Sequence, residues 1–196
     1  MSKGQQPLCE PELFEPLQEL VKRYGIVNLV ETGTGPSSSG LEAAKRLGLR
    51  GYSCDVFRPC VERAAHMYPG SLCFHGESLG FFAHILPTLV GPTFFWLDGH
   101  CPTDQACLPG PIFPPYEEML MIRSLKRGYE HDVLWIDDIA MIDVPDNPTA
   151  SRWDVDLAGI RWQGAKEHSW EDYLSLMAGT HDYEVNDCML RLTPKT

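Results

Sequence analysis

The chain has 196 residues, 43% hydrophobic and 22% charged, with a formal net charge of −11. These values are typical of one soluble globular domain with a substantial core, and the acidic excess argues against a nucleic-acid partner, which requires clustered Lys and Arg. No apolar run approaches the roughly 20 residues of a membrane span, and the polar N-terminus lacks the apolar centre of a signal peptide. We therefore expect a cytoplasmic protein without a membrane partner. The seven cysteines, an odd number without C-x-x-C spacing, indicate free thiols rather than a zinc cluster.

Helical and strand patterns alternate along the chain. The hydrophobic spacing predicts helices at 11–24, 37–47, 59–67, 79–89, 116–127 and 170–177. Short apolar runs predict strands at 26–30, 51–56, 71–75, 93–97 and 133–136, followed by a hairpin of 183–185 and 188–192. Alternating strands and helices form parallel sheets with helices on both faces. The prediction is one α/β domain, 1–196, with a helical N-terminal segment at 1–25 and a doubly wound, mostly parallel seven-stranded sheet that ends in an antiparallel hairpin.

A glycine-rich turn, E-T-G-T-G-P-S-S-S-G at 31–40, follows the first predicted strand and leads into a helix. Glycines allow the backbone to turn sharply near a ligand, and a helix N-terminus offers free N–H groups to an anion. Asp55 ends the second strand, where a carboxylate can accept hydrogen bonds from ribose hydroxyls. The alternative is a turn that only connects strand to helix, with Asp55 as a solvated loop residue. A nicotinamide site is disfavoured because Pro36 and three serines stand where its third glycine is expected.

Two buried strands run directly into acidic residues. The fourth ends in Leu97-Asp98-Gly99-His100 and the fifth in Ile136-Asp137-Asp138. If both strands end at one edge of the sheet, three carboxylates and an imidazole meet there, which suits Mg²⁺ or acid/base chemistry. The alternative is that each Asp caps the turn or helix that follows its strand. His100 is left open as a general base, a metal ligand or a structural hydrogen-bond partner.

The order of these motifs resembles that of the class I S-adenosylmethionine-dependent methyltransferases over nearly the whole chain. The resemblance depends on the acidic glycine turn, the acid after the second strand, the acidic strand ends and the closing hairpin, to which Gly76-Glu77-Ser78 after the third strand adds. It is closest to bacterial proteins with a W-L-D-x-H stretch and a later I-D-D stretch. The metal-dependent sugar O-methyltransferases of macrolide and aminocoumarin pathways have a similar arrangement of acids.

The resemblance implies a Rossmann-like methyltransferase fold, S-adenosylmethionine as cofactor and a set of site residues. The turn would lie against the methionine part of the cofactor, Asp55 would hold the ribose, and Glu77 with Ser78 would border the adenine. The implied cofactor-binding residues are Glu31, Gly33, Thr34, Gly35, Ser38, Asp55, Val56, Glu77, Ser78 and Asp98. His100 and Asp98 are the expected catalytic residues, and Asp98, Asp137 and Asp138 are the expected ligands of Mg²⁺ or another divalent cation.

These motifs favour methyl transfer to an oxygen of a small polar or glycosyl acceptor. A metal-dependent hydrolase or hydroxylase-like enzyme that uses the same sheet edge is an alternative, as is a non-catalytic binding module that keeps the fold. The acceptor is a small molecule chosen by the loops at 101–115 and 143–166, since function depends on such loops more than on the fold. The short N-terminal helix and the small size of the chain leave the cleft thinly covered, so we also consider a homo-oligomer in which a second subunit supplies a lid.

Overall fold

The computed structural model describes residues 8–99, 114–137, 139, 168–186 and 189–196. Six α-helices lie in this part of the chain: α1 (Pro11–Tyr24), α2 (Ser39–Leu47), α3 (Arg58–Met67), α4 (Ser78–Ile85), α5 (Pro115–Leu125) and α6 (Trp170–Met177). The strands are β1 (Asn28–Thr32), β2 (Arg50–Asp55), β3 (Leu72–His75), β4 (Thr93–Leu97), β5 (Val133–Ile136), β6 (His181–Asn186) and β7 (Met189–Pro194). Two short 3₁₀ helices, Leu86–Thr88 and Tyr129–His131, precede β4 and β5.

The seven strands form one sheet in the order β3-β2-β1-β4-β5-β7-β6. The first five are parallel, whereas β7 runs antiparallel to both β5 and β6. The predicted doubly wound sheet with a closing antiparallel hairpin is therefore confirmed. The strand order reverses between β1 and β4, which is where open α/β sheets bind their ligands, beyond the carboxyl ends of the strands.

Both faces of the sheet are covered, as continuous apolar strands require. On one face α1 and α2 pack over β1, β4 and β5, with Leu17, Phe94 and Trp135 in the core. On the other face α4, α5 and α6 enclose a larger core that includes Phe82 and Tyr173. The central strands β1, β4 and β5 are buried at every position, so their ends are held rigidly at the sheet edge.

Several boundaries differ from the predicted ones. β1 begins at Asn28, where pairing with both β2 and β4 starts, rather than at 26; the Asn28 side-chain amide also donates to Val90 O at 3.0 Å and to Thr93 Oγ1 at 3.1 Å. Predicted helix 79–89 is α4 followed by the 3₁₀ turn at Leu86–Thr88, since Pro87 cannot continue the α-helical hydrogen bonding. Both hairpin strands are longer than predicted. Residues 187–188 lie outside the described part.

The end of α5 differs from the predicted helix 116–127. The helix stops at Leu125, and Lys126, directly after it, is only 3% exposed, whereas a basic residue at a helix end is usually solvated. The Lys126 ammonium donates to Asp132 Oδ1 at 2.9 Å and to Gly91 O at 3.2 Å, and the same Asp132 oxygen accepts from Thr93 N–H at 2.8 Å. A buried ion pair thus ties α5, β4 and β5 together at the edge of the sheet opposite the strand carboxyl ends.

None of the helices in the described ranges is long and apolar enough to cross a membrane. The four cysteines described, Cys9, Cys54, Cys60 and Cys73, are all free thiols, and Cys54 and Cys60 are buried.

Candidate functional site

The carboxyl ends of β1, β4 and β5 meet at one edge of the sheet. The register pairs Thr32 with Leu97, and Leu97 with Ile136. Directly beyond them, Asp98 N–H donates to Thr32 O at 3.2 Å, and Asp137 N–H donates to Leu97 O at 3.1 Å. Asp98 and Asp137 therefore follow adjacent strands at the same level, as the sequence predicts.

The glycine turn is packed against the end of β4. Gly33 has φ +81°, and a Cβ at this position would collide with the carbonyl oxygen of Asp98. The N–H groups of Gly33 and Thr34 both donate to Cys54 O at 3.0 Å, which bends the chain over the end of β2. Gly33 is thus required both for its backbone conformation and for its lack of a side chain.

Asp55 and Arg63 bind the backbone N–H and C=O of Gly35, the next glycine of the turn. Asp55 Oδ2 accepts from Gly35 N–H at 2.8 Å, and its Oδ1 accepts from Phe57 N–H at 2.7 Å. Arg63, on α3, donates from Nη2 to Gly35 O at 2.9 Å. Each carboxylate oxygen has two acceptor sites, so Asp55 keeps capacity for a ribose hydroxyl while it supports the turn. Arg63 is a residue that the sequence pattern did not reveal, because nothing in α3 marks it out from other solvated arginines.

Glu31 lies underneath the turn. It is 1% exposed, and its carboxylate accepts from Gly40 N–H at 2.7 Å and from Ser53 Oγ at 2.8 Å. The Ser53 hydroxyl also pairs with Thr34 Oγ1 at 2.6 Å. Burial raises the pKa of Glu31 to about 7, against the effect of these two hydrogen bonds. Glu31 thus supports the turn and the start of α2; its predicted contact with the cofactor stays a prediction.

Ser38 stands at the start of α2 with unused hydrogen-bonding capacity. It is fully buried, adopts a left-handed φ of 51°, and its Oγ has no hydrogen-bond partner within the described ranges. A strained residue and a buried hydroxyl without a partner at a helix N-terminus are features that a bound anionic group would explain. The residues present therefore fit the carboxylate end of the predicted cofactor.

The predicted adenine border lies at the start of α4, and the predicted cofactor residue Val56 lies before α3. Val56 is 40% exposed and Phe57 57% exposed, directly after Asp55. Glu77 is exposed and precedes α4, whereas Ser78 is 9% exposed and begins it. Exposed apolar side chains beside the predicted ribose-binding position are suited to cover a purine ring.

A second buried acid, Glu118, reaches this edge from α5. It is fully buried, its Oε2 accepts from Thr32 Oγ1 at 3.4 Å, and a further side-chain hydrogen bond joins it to Ser78. Burial raises its pKa to about 8. Sequence reasoning missed Glu118, although a signal existed: it occupies the same helical face as the buried Pro115 and Ile122, where a charged residue is unexpected.

The predicted acidic cluster is described only in part. Asp98 and Asp137 are placed on adjacent strand ends, but His100 and Asp138 lie outside the described residues. Within the described part, no group of three His, Cys, Asp or Glu side chains is arranged to hold a metal ion. Metal binding and the role of His100 therefore remain predictions.

One cavity of about 490 Å³ lies away from this edge, between α1 and the outer strands of the sheet. Leu20 and Arg23 line it from α1, and Trp135, Arg191 and Glu184 line it from the sheet. It contains none of the predicted site residues. We assign the candidate site to the strand ends, because the strained turn, the buried acids and the strand-order reversal all lie there.

Comparison with solved structures shows which fold this is. The apo-structure of CmcI-N160 is similar with a TM-score of 0.61 and 15% identity, over 98% of this chain and 76% of the other. An O-methyltransferase from Bacillus cereus in complex with SAH is similar with a TM-score of 0.57 and 18% identity, over 95% of this chain and 82% of the other. No family model and no curated protein sequence matches the chain. The chain therefore has the fold of the class I S-adenosylmethionine-dependent methyltransferases.

Proposed function

We propose that the protein is an S-adenosylmethionine-dependent methyltransferase that acts on an oxygen of a small polar or glycosyl acceptor, assisted by a divalent cation. The observation that carries the proposal is the glycine turn, which is held between the end of β4 and the carboxylate of Asp55. A connecting turn has no need of a left-handed Ser38 whose buried hydroxyl has no partner among the described residues.

On the cofactor side, each residue has a distinct binding role. The N–H groups at the start of α2 and Ser38 Oγ bind the carboxylate of the methionine part. Asp55 accepts from the ribose hydroxyls, and Val56 covers one face of the adenine. Glu31 and Thr34 keep the turn in its bent form from below, so little ordering is required when the cofactor binds.

On the acceptor side, Asp98 and Asp137 present two carboxylates next to the end of the turn, and Asp138 and His100 follow them in the chain. A bound divalent cation would lower the pKa of an acceptor hydroxyl and orient it. Two or three carboxylates are sufficient for Mg²⁺, which keeps several waters. His100 is the proposed base that takes the proton from the acceptor oxygen.

Calorimetric titration of the purified chain with S-adenosylhomocysteine, with and without Mg²⁺, tests the proposal. We expect binding in the micromolar range, and Asp55→Ala is expected to weaken it by at least about tenfold, through loss of hydrogen bonds to the ribose and to the turn. Asp182→Ala, which removes an exposed acid on β6 at the far edge of the sheet, is the matched control and should bind normally. Absence of binding by the unmodified chain under both conditions refutes the proposal.

The metal step has a separate test. Asp137→Asn should leave S-adenosylhomocysteine binding within about threefold of the unmodified chain while it weakens Mn²⁺ binding, followed by electron paramagnetic resonance, by about tenfold or more. Equal Mn²⁺ binding by both proteins would remove metal assistance from the proposal and leave methyl transfer in place.

A further inference from the structure

Burial of the Glu118 carboxyl group lowers the stability of the folded protein. The side chain is fully buried; within the described part of the chain the carboxyl group accepts a hydrogen bond from Thr32 Oγ1 at 3.4 Å and interacts with the Ser78 hydroxyl. The second oxygen, Oε1, has no partner within the described part of the chain. An apolar side chain of similar volume would serve the packing of α5 as well or better, since a buried carboxyl with incomplete hydrogen bonding opposes folding.

The two partners of Glu118 belong to the parts of the chain that form the predicted cofactor site. Thr32 is the last residue of β1 and directly precedes Gly33. The Thr32 side chain also fills the space beside Gly99, where an added Cβ would lie 3.0 Å from Thr32 Oγ1. Ser78 is the first residue of α4, at the predicted adenine border. One carboxyl group therefore connects the glycine turn, the residue after Asp98 and the start of α4.

We propose that Glu118 is a positioning residue of the methyl-transfer site, which holds Thr32 and Ser78 at the spacing that the bound cofactor requires. This inference rests on the proposed function. Glu118 acts through its two partners, and it keeps the turn and the start of α4 in register.

Below a pH of about 8 the Glu118 carboxyl group is mainly protonated. Burial is the main cause that raises its pKa to about 8, and the neighbouring Glu117 adds to the rise, while the hydrogen bonds from Ser78 and Thr32 oppose it. The other titratable groups that face it are Cys54 on β2 and Tyr173 on α6, both with raised pKa values in which Glu118 has a part. All of these neighbours are neutral or negative near pH 8, so ionised Glu118 would lack a cationic partner among them. Loss of the proton strengthens the hydrogen bonds from the two hydroxyls but leaves an uncompensated buried charge, and the entry of water to solvate that charge is expected to separate β1 from α4.

The test is the affinity for S-adenosylhomocysteine, measured by calorimetry from about pH 6 to about pH 9.5. This ligand has a neutral sulfur, so a new charge on Glu118 does not attract it directly. For the unmodified chain we expect affinity to fall by about tenfold as the pH rises through the Glu118 pKa. Glu118→Gln cannot ionise and keeps the shape and hydrogen-bonding capacity of the side chain, so it should bind within about threefold at every pH, without that fall. Glu118→Leu should bind about tenfold more weakly at all pH values.

Glu31 also titrates in this range, with a pKa of about 7, and its effect is common to all three proteins, so the difference between their profiles isolates Glu118. Asp132→Asn is the control for altered stability, because it changes a buried acid at the opposite edge of the sheet. If Glu118→Leu and Glu118→Gln both follow the affinity profile of the unmodified chain, and change only the unfolding midpoint, Glu118 has a structural role alone and the inference is overturned. If the unmodified chain fails to bind at every pH, the proposed function falls and the inference with it.

Discussion

Replacement of Lys126 by Met is expected to destabilise the protein more than any other loss of a single positive charge in α5 or directly after it. Lys126 and Asp132 have side chains that are 0% exposed, with 2.9 Å between Nζ and Oδ1. Methionine has a similar length and apolar character, so it fills most of the space but leaves the Asp132 carboxylate without its cation. Asp132 Oδ2 already has no partner in the described ranges, so the charge has no second source of compensation beyond the Thr93 N–H.

Removal of one partner from a buried ion pair costs about 3–5 kcal/mol. This cost depends on pH, because the charge on Asp132 depends on pH. Burial raises the Asp132 pKa from 3.8 to about 7, against the effects of Lys126 and the Thr93 N–H. The unmodified protein therefore loses stability as the pH rises from about 4 to about 7, and loses no more from this group at higher pH. Without Lys126 the pKa rises further, so the loss continues above pH 7. We therefore expect the pH-dependent part of the difference to be negligible at pH 5, below about 1 kcal/mol at pH 7 and larger by about 1 kcal/mol at pH 8, and to approach about 3–5 kcal/mol only at the pH where Asp132 ionises without Lys126.

Urea denaturation at these pH values, followed by tryptophan fluorescence, measures the difference. Arg127→Met is the matched control, since it removes an exposed charge from the next residue, and should change the unfolding free energy by less than about 0.5 kcal/mol. Lys126→Met combined with Asp132→Asn should recover more than half of the loss, because no charge is then left unpaired. Equal stability of the two single variants, or a difference that shrinks as the pH rises, would refute the reasoning.

Three further outcomes follow from the site. Gly33→Ala should cost about 2–4 kcal/mol and abolish S-adenosylhomocysteine binding, because the added Cβ meets a backbone carbonyl; Gly25→Ala, at a similar positive φ with nothing within 4 Å, should cost about 1 kcal/mol in urea denaturation and bind normally. Arg63→Met should lower cofactor affinity by about fivefold through loss of the bond to Gly35 O, with little change in the thermal midpoint; an unchanged affinity would exclude a role in the turn. Glu118→Gln should raise the unfolding free energy by about 3 kcal/mol at pH 7, because a folded pKa near 8 against 4.5 costs stability as the pH rises; the gain should vanish below about pH 4.5, and a gain that persists there would contradict the assignment.

Much of the site was predictable because its residues follow buried strands. Apolar runs located the ends of β1, β2, β4 and β5, and parallel strands bring their carboxyl ends to one edge, so Gly33, Asp55, Asp98 and Asp137 were named and placed in advance. Whether the first three bind the cofactor, and whether Asp98 and Asp137 hold a metal, are still predictions. The N–H groups that donate to Asp55 belong to Gly35 and Phe57. These residues lie in a turn and a loop whose conformations the residue pattern does not specify.

The residues that were missed lie on helices or directly after one. Arg63, Glu118 and Lys126 each acquire their contacts from how a helix packs against the sheet. The bonds from Arg63 to Gly35, from Thr32 to Glu118 and from Lys126 to Gly91 span 28, 86 and 35 residues, although Lys126 also pairs with Asp132, 6 residues away. A charged residue on a helix is usually solvated, so pattern alone favours the wrong environment for two of the three, the fully buried Glu118 and the nearly buried Lys126.

The sequence by itself determined the order of the elements, the doubly wound sheet and the chemistry available at the strand ends, because local hydrophobic periodicity and glycine positions decide these features. The tertiary structure alone decided which acids are buried and protonated, which backbone groups they bind, and which helix residues reach the site. Those properties depend on desolvation and on contacts between distant segments, and neither is encoded in local spacing.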